Sequence, residues 1–131
     1  TFNRALKLWG LSVVGGCIML AGCQIFYHLW VGEKVIVPFT VSLSTLIYVC
    51  FFNLNNCVTY LINGLNKIRI QIITSLAFTA LYIGIILLLG KKLGIEGVVL
   101  SMAGSYACMS LIHLYQCRLL IKEKAKGIWN K

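Results

Sequence analysis

The stretch Tyr60–Ile73 reads YLINGLNKIRIQII, and its reading decides how the rest of the chain is arranged. It lies between two long apolar runs. It carries the turn formers Asn63, Gly64 and Asn66, followed by the cations Lys67 and Arg69. Side chains of this kind between apolar runs predict a tight turn joining two membrane-spanning helices. Lys and Arg accumulate in cytoplasmic loops, so this turn is expected on the cytoplasmic side.

Working outward, the charges delimit four spans. Residues 8–32, 35–66, 70–90 and 97–117 contain no Asp, Glu, Lys or Arg. A spanning helix needs about 20 mainly apolar residues, and a charge at mid-membrane costs about 2.5–3.5 kcal/mol on insertion scales. The whole chain of 131 residues is 60% hydrophobic and 11% charged, against roughly a quarter charged in soluble domains. These observations predict an all-α membrane protein of four antiparallel transmembrane helices. The expected spans are 8–31, 38–62, 70–90 and 97–120, followed by a basic tail over 121–131. Together they form one four-helix transmembrane unit. Uninterrupted apolar runs exclude a barrel, whose strands alternate with period two.

The net charge of +9 has a topological explanation. Arg4 and Lys7, then Lys67 and Arg69, then Arg118, Lys122, Lys124, Lys126 and Lys131 fall on one side of the predicted bundle. Only Lys34, Lys91 and Lys92 fall on the other, accompanied by Glu33 and Glu96. Both termini are therefore expected in the cytoplasm. The cations form no stripe interleaved with exposed aromatics, so they address the lipid bilayer and not nucleic acid. The six cysteines (Cys17, Cys23, Cys50, Cys57, Cys108, Cys117) all fall in apolar runs without metal-ligand spacing. They read as small packing residues, with no disulfide framework and no metal.

Polar residues inside the spans are the candidates for function. Span B, 38–62, places Ser42, Thr45, Val49, Asn53, Asn56 and Tyr60 at three- and four-residue intervals on one helix face, continued by Asn63. An amide facing lipid is costly, so this face is expected to line a hydrophilic cavity or to bond another helix. Span D presents Gly97, Ser101, Ser105, Met109, Ile112 and Gln116 on one face, a small-residue pattern suited to close packing. In span A, Gly15 and Gly16 carry the same signal. Gln24 and His28 stand one turn apart near its outer end, where Tyr27 and Trp30 suit an aromatic belt. His113 and Tyr115 are expected at the inner interface. No nucleophile–base pair, phosphate loop or cofactor motif is present, so no enzymatic activity and no cofactor are expected.

Two places carry a family resemblance: LINGLNKIRIQ at the end of span B, and Leu93-Gly94-Ile95-Glu96-Gly97-Val98 before span D. With Leu29-Trp30-Val31-Gly32 closing span A, their order over nearly the whole chain resembles the C-terminal part of a transporter family. This is the polysaccharide (O-antigen) flippase branch of the multidrug/oligosaccharidyl-lipid/polysaccharide exporter superfamily. The resemblance implies a protein of twelve to fourteen spans in the bacterial inner membrane. Such a protein moves an isoprenoid-linked oligosaccharide between leaflets for surface polysaccharide and lipopolysaccharide biosynthesis. The chain, which begins at Thr1, is then expected to partner with N-terminal spans of the same polypeptide. The family often places charged cavity residues within its spans; these spans hold none. Two other readings stand beside it: a complete small four-helix transporter, or a non-transporting membrane scaffold subunit. Small multidrug exporters, similar in size, rely on an acidic residue in the first span, and span A has none.

The side assignment is testable. In a cysteine-free background, a new cysteine at Asn66 should be protected from a membrane-impermeant maleimide in intact cells, and one at Lys92 should be labelled. The reverse pattern would invert the topology.

Overall fold

The computed structural model describes residues 2–32 and 36–130, with the backbone alone for Leu89. Glu33, Lys34 and Lys131, which entered the charge count above, lie outside the described residues, as do Thr1 and Val35. Three helical runs make up the fold: α1 (Phe2–Val31), α2 (Phe39–Gly64) and α3 (Arg69–Ile121), followed by a short 3-10 turn, Gly127–Asn130. Gly94 interrupts α3, dividing it into a first arm over 69–93 and a second arm over 95–121; the candidate spans within it are Arg69–Leu88 and Gly90–Ile121. Four helices are thus long and apolar enough to cross a membrane. This is an all-α, multi-pass membrane protein. The first helix begins at Phe2, ahead of the expected Leu8, and takes in Arg4 and Lys7. Thirty residues rise about 45 Å, more than the roughly 30 Å of hydrocarbon, so both ends reach the headgroup layers.

The turn after α2 sits where the sequence places it, with a shift in which residue turns. Asn63 and Gly64 remain helical, and Asn66 adopts the left-handed conformation with φ 56°. The amide of Asn66 donates to the Asn63 carbonyl at 2.9 Å, and that of Lys67 to the Ile62 carbonyl at 3.5 Å. This is a Schellman motif, which satisfies the last carbonyls of the helix. The second arm of α3 ends the same way. Glu123 has φ 55°, and the amides of Glu123 and Lys124 bond the carbonyls of Leu120 and Leu119. Pro38 stands one position before the first helical turn of α2, and its carbonyl receives the Val41 amide at 3.1 Å.

The segment Lys91–Glu96, expected as a loop, is helical apart from Gly94. Gly94 holds φ 64° and ψ −176°, a region open essentially to glycine alone. Gly97 supplies room: a Cβ there would meet the Leu93 Cβ at 2.7 Å. One residue thus reverses the chain, and the arms return antiparallel with Thr74 against His113.

Packing is uneven. The two arms of α3 and α2 form a three-helix bundle in which α2 and the second arm run parallel. Tyr48 and Phe52 of α2 interlock with Tyr106, with centroids 5.7 and 5.2 Å apart. Nearer the Asn66 turn, Val58, Ile62 and Cys117 form the apolar core, covered by Phe2, Leu54, Leu61, Leu114 and Leu120. By contrast, α1 lies against α2 without approaching either arm of α3, and none of its residues is buried. Gly16 makes the close approach, since a Cβ there would lie 2.5 Å from Leu46 Cδ1, while Gly15 faces open space. The close packing expected of Gly15 and Gly16 is met at Gly16 alone. Trp9, donating to the Cys50 carbonyl at 2.8 Å, and Tyr27, beside Ser42, add contacts to α2, and the other face of α1 is uncovered by either arm.

Gly94→Ala should destabilise the fold by about 1–3 kcal/mol, read as a lower midpoint of unfolding in mixed micelles. No side chain crowds Gly94, so the loss measures backbone strain alone. Asn66→Gly should leave the midpoint unchanged or raised, because glycine accepts the left-handed conformation without a Cβ penalty.

Candidate functional site: a polar network across three helices

The polar side chains buried in the fold converge on His113. Its ring is 1% exposed. Its Nδ1 lies 2.8 Å from Asn55 Oδ1 on α2, and its Nε2 lies 2.9 Å from Thr74 Oγ1 on the first arm. One imidazole therefore ties together all three helices of the bundle. One turn along, Gln116 is wholly buried and donates from Nε2 to the Lys67 carbonyl at 3.0 Å. On the opposite side of His113, the Ser110 hydroxyl donates to the Tyr106 carbonyl at 2.7 Å and stands 3.3 Å from that of Phe51. Gln71 reaches the Thr59 carbonyl at 3.4 Å. Two oxygens in this region, Thr59 Oγ1 and Gln116 Oε1, are buried without a partner among the described residues.

His113 is thus interior and not interfacial, a correction to the sequence reading. The side chain points along the bundle axis side of its helix, while Tyr115, two positions on, is exposed and stacks edge-on with Trp129 of the returning tail. The tail is pinned further by Lys67 Nζ, which donates to the Asn130 carbonyl at 2.9 Å.

The face of α2 that looks into the bundle is not the expected one. Its buried residues are Ser44, Asn55, Val58 and Ile62. Of the candidates, Ser42 is half-buried and its hydroxyl lies 3.4 Å from the Tyr27 hydroxyl of α1. Thr45 is exposed and bonds the Val41 carbonyl of its own helix. Asn53 and Asn56 are half-buried, and Tyr60 is exposed. None of these three makes a side-chain hydrogen bond among the described residues. On the second arm, Ser101 and Ser105 are half-buried and bond the carbonyls of Gly97 and Ser101 at 2.7 and 3.0 Å. The structure therefore does not gather the candidates into one site.

Ser105 does border a cleft of about 250 Å³ between the arms of α3, with Ser75, Thr79, Tyr82 and Tyr106 among its lining. Asn55, Thr74 and Gln71 were missed in the sequence. Gln71 is the one amide in the apolar run 70–90 and Thr74 follows it three residues on, and that spacing was the available signal. At the end away from the Asn66 turn, Thr40 donates to the Glu96 carboxylate, joining α2 to the second arm beside Gly94. No protein-family model, curated protein or solved structure matches the chain.

Asn55→Leu should destabilise the bundle more than Asn56→Leu. The first change leaves the buried Nδ1 of His113 without its partner, at about 1–3 kcal/mol. The second removes no side-chain hydrogen bond among the described residues. Unfolding in mixed micelles gives the comparison; equal losses would refute the structural role assigned to the network.

Proposed function

We propose that the chain contributes four spans to a flippase that moves an isoprenoid-linked oligosaccharide across the bacterial inner membrane, with both termini in the cytoplasm. The reading rests on the resemblance of LINGLNKIRIQ and Leu93–Val98 to polysaccharide exporters. One observation of the structure carries it further. The amides of Asn53 and Asn56, in the middle of a helix suited to crossing the membrane, find no hydrogen-bond partner among the described residues. An amide at that depth needs either water in a cavity or a polar partner on a neighbouring element. A cavity wall formed with further spans supplies both, and amides are suited to bond sugar hydroxyls. The cleft beside Ser105 is mostly apolar, with Phe78, Met102 and Met109 in its lining, and adds hydroxyls from Ser75, Thr79 and Tyr82. At about 250 Å³ it is smaller than ordinary ligand sites, which run about 300–1,000 Å³, so it holds at most part of a glycan. Transporters commonly bind substrate between two bundles that rock against each other, and α1, with its free apolar face, is placed to meet a second one. We assign the chain transport and no bond chemistry. The scaffold reading is favoured by a different observation, the polar network around His113, which bonds three helices to one another.

Two outcomes test the proposal. In the intact transporter, Asn56→Leu should lower glycan export several-fold at unchanged yield; normal export at normal yield excludes a cavity role. Reconstituted alone, Thr1–Lys131 should insert into liposomes without moving lipid-linked oligosaccharide. Translocation above the empty-liposome background would instead favour a complete small transporter.

A further inference from the structure

We propose that His113 is a proton-binding site within the membrane-crossing part of the fold, and that Asn55 and Thr74 hold it ready in both of its protonation states. The proposal stands apart from the glycan reading.

The hydrogen-bond inventory carries the argument. Asn55 presents an oxygen to Nδ1, and an amide oxygen only accepts. Nδ1 therefore bears a hydrogen in either state, and the change of charge falls on Nε2. Its partner, Thr74 Oγ1, both donates and accepts. In the neutral state the Thr74 hydroxyl donates to Nε2 at 2.9 Å. In the charged state Nε2 donates to the same oxygen, and the hydroxyl hydrogen turns to the Ile70 carbonyl at 2.8 Å or the Gln71 carbonyl at 3.1 Å. Binding a proton requires rotation of one hydroxyl hydrogen and no movement of a heavy atom. A residue that only accepted, or only donated, would suit one state alone.

Two unpartnered oxygens lie one turn further along in the same elements. Thr59 follows Asn55 by one turn, and Gln116 follows His113 by one turn, both toward the Asn66 turn. Their oxygens Oγ1 and Oε1 are the two buried polar atoms without a partner. Unpartnered buried oxygens in polar surroundings are where internal water binds. Water bound there would stand toward the end of the bundle at which Gln116 bonds Lys67.

Among the described residues no carboxylate bonds His113. On α2 the titratable side chains flanking Asn55 are Cys50, Cys57 and Tyr60. The first arm has none between Arg69 and Tyr82. The second arm has Tyr106, Cys108, Tyr115, Cys117 and Arg118 around His113. The charged groups closest along the chain, Lys67, Arg69 and Arg118, are all cations at the Asn66 end. An ionisable residue inside a membrane protein with such surroundings reads as functional.

The chain contains two histidines, His28 and His113, which makes direct observation practical. The full chain, labelled with 15N-histidine and carrying His28→Gln, is placed in lipid nanodiscs and titrated from about pH 8 to 5, the range over which histidine switches. The expected result is a reversible change of both ring nitrogens from a neutral tautomer to the doubly protonated form, with the backbone spectrum retained. Thr74→Val should weaken proton binding about tenfold, the scale of a hydrogen bond to a charged group, and Thr74→Ser should restore it. A ring that keeps one neutral tautomer throughout would overturn the proposal. So would a ring that protonates only as the backbone spectrum collapses, or a titration that Thr74→Val leaves unchanged.

Discussion

In hydrocarbon, a polar group must find its partner within the protein, because no water is there to supply one. The contacts of His113 with Asn55 and Thr74 answer that constraint for the interior of this fold. The backbone is satisfied by helix formation. The imidazole is satisfied only if α2 and both arms of α3 come together in one register. A slide of any helix by one turn would remove at least one of the two bonds to the ring. Apolar packing around Val58, Ile62 and Cys117 adds contact area, but in lipid such contacts compete with equally apolar tails and discriminate poorly between registers.

The hinge at Gly94 makes that register attainable. Thr74 and His113 stand almost equally far from it along the chain, so a reversal at this one residue sets them side by side. Each residue of a helix advances about 100° around the axis. A hinge one residue longer would rotate His113 off the bundle unless the arms readjusted. Two features near the hinge reinforce it: the Thr40 bond to Glu96, and the missing Cβ at Gly97 that lets Leu93 close in. At the other end, the Asn66 motif and the tail through Lys67 and Trp129 close the bundle.

Much of this was legible in the sequence, for physical reasons that differ by element. The spans were legible because charges are excluded from hydrocarbon, and the termini of α2 lie within two residues of the expected ones. The turn at Asn66 was legible because few residue types turn a chain. The ends of α1 and of the second arm were less so. Arg4, Lys7, Lys91 and Lys92 were taken as helix limits, although long cationic side chains extend to the headgroups while their backbone stays helical. The hinge was read as a loop because a sequence shows which glycine can reverse a chain, not that its neighbours remain hydrogen-bonded. The flanking position of α1 was not legible, since its small residues fit close packing and lipid exposure alike.

The inward face of α2 was misread for a more specific reason. Serine and threonine in helices often bond the carbonyl four residues back. Ser44, Thr45, Thr74, Ser101, Ser105 and Ser110 all do so here. A hydroxyl satisfied by its own helix tolerates any direction, so the spacing of Thr45, Ser101 and Ser105 carries little information about which face looks inward. Amides and imidazoles present two polar ends and rely on other elements. They are the informative residues, and α2 has three amides close together: Asn53, Asn55 and Asn56. Adjacent positions on a helix point about 100° apart, so at most one of the pair Asn55 and Asn56 can meet His113 squarely. Which of them does so depends on the partner helix and not on α2 itself. The structure selects Asn55. The same geometry turns Asn56 away from the network, which leaves its amide available to whatever polar surface adjoins α2 in the membrane.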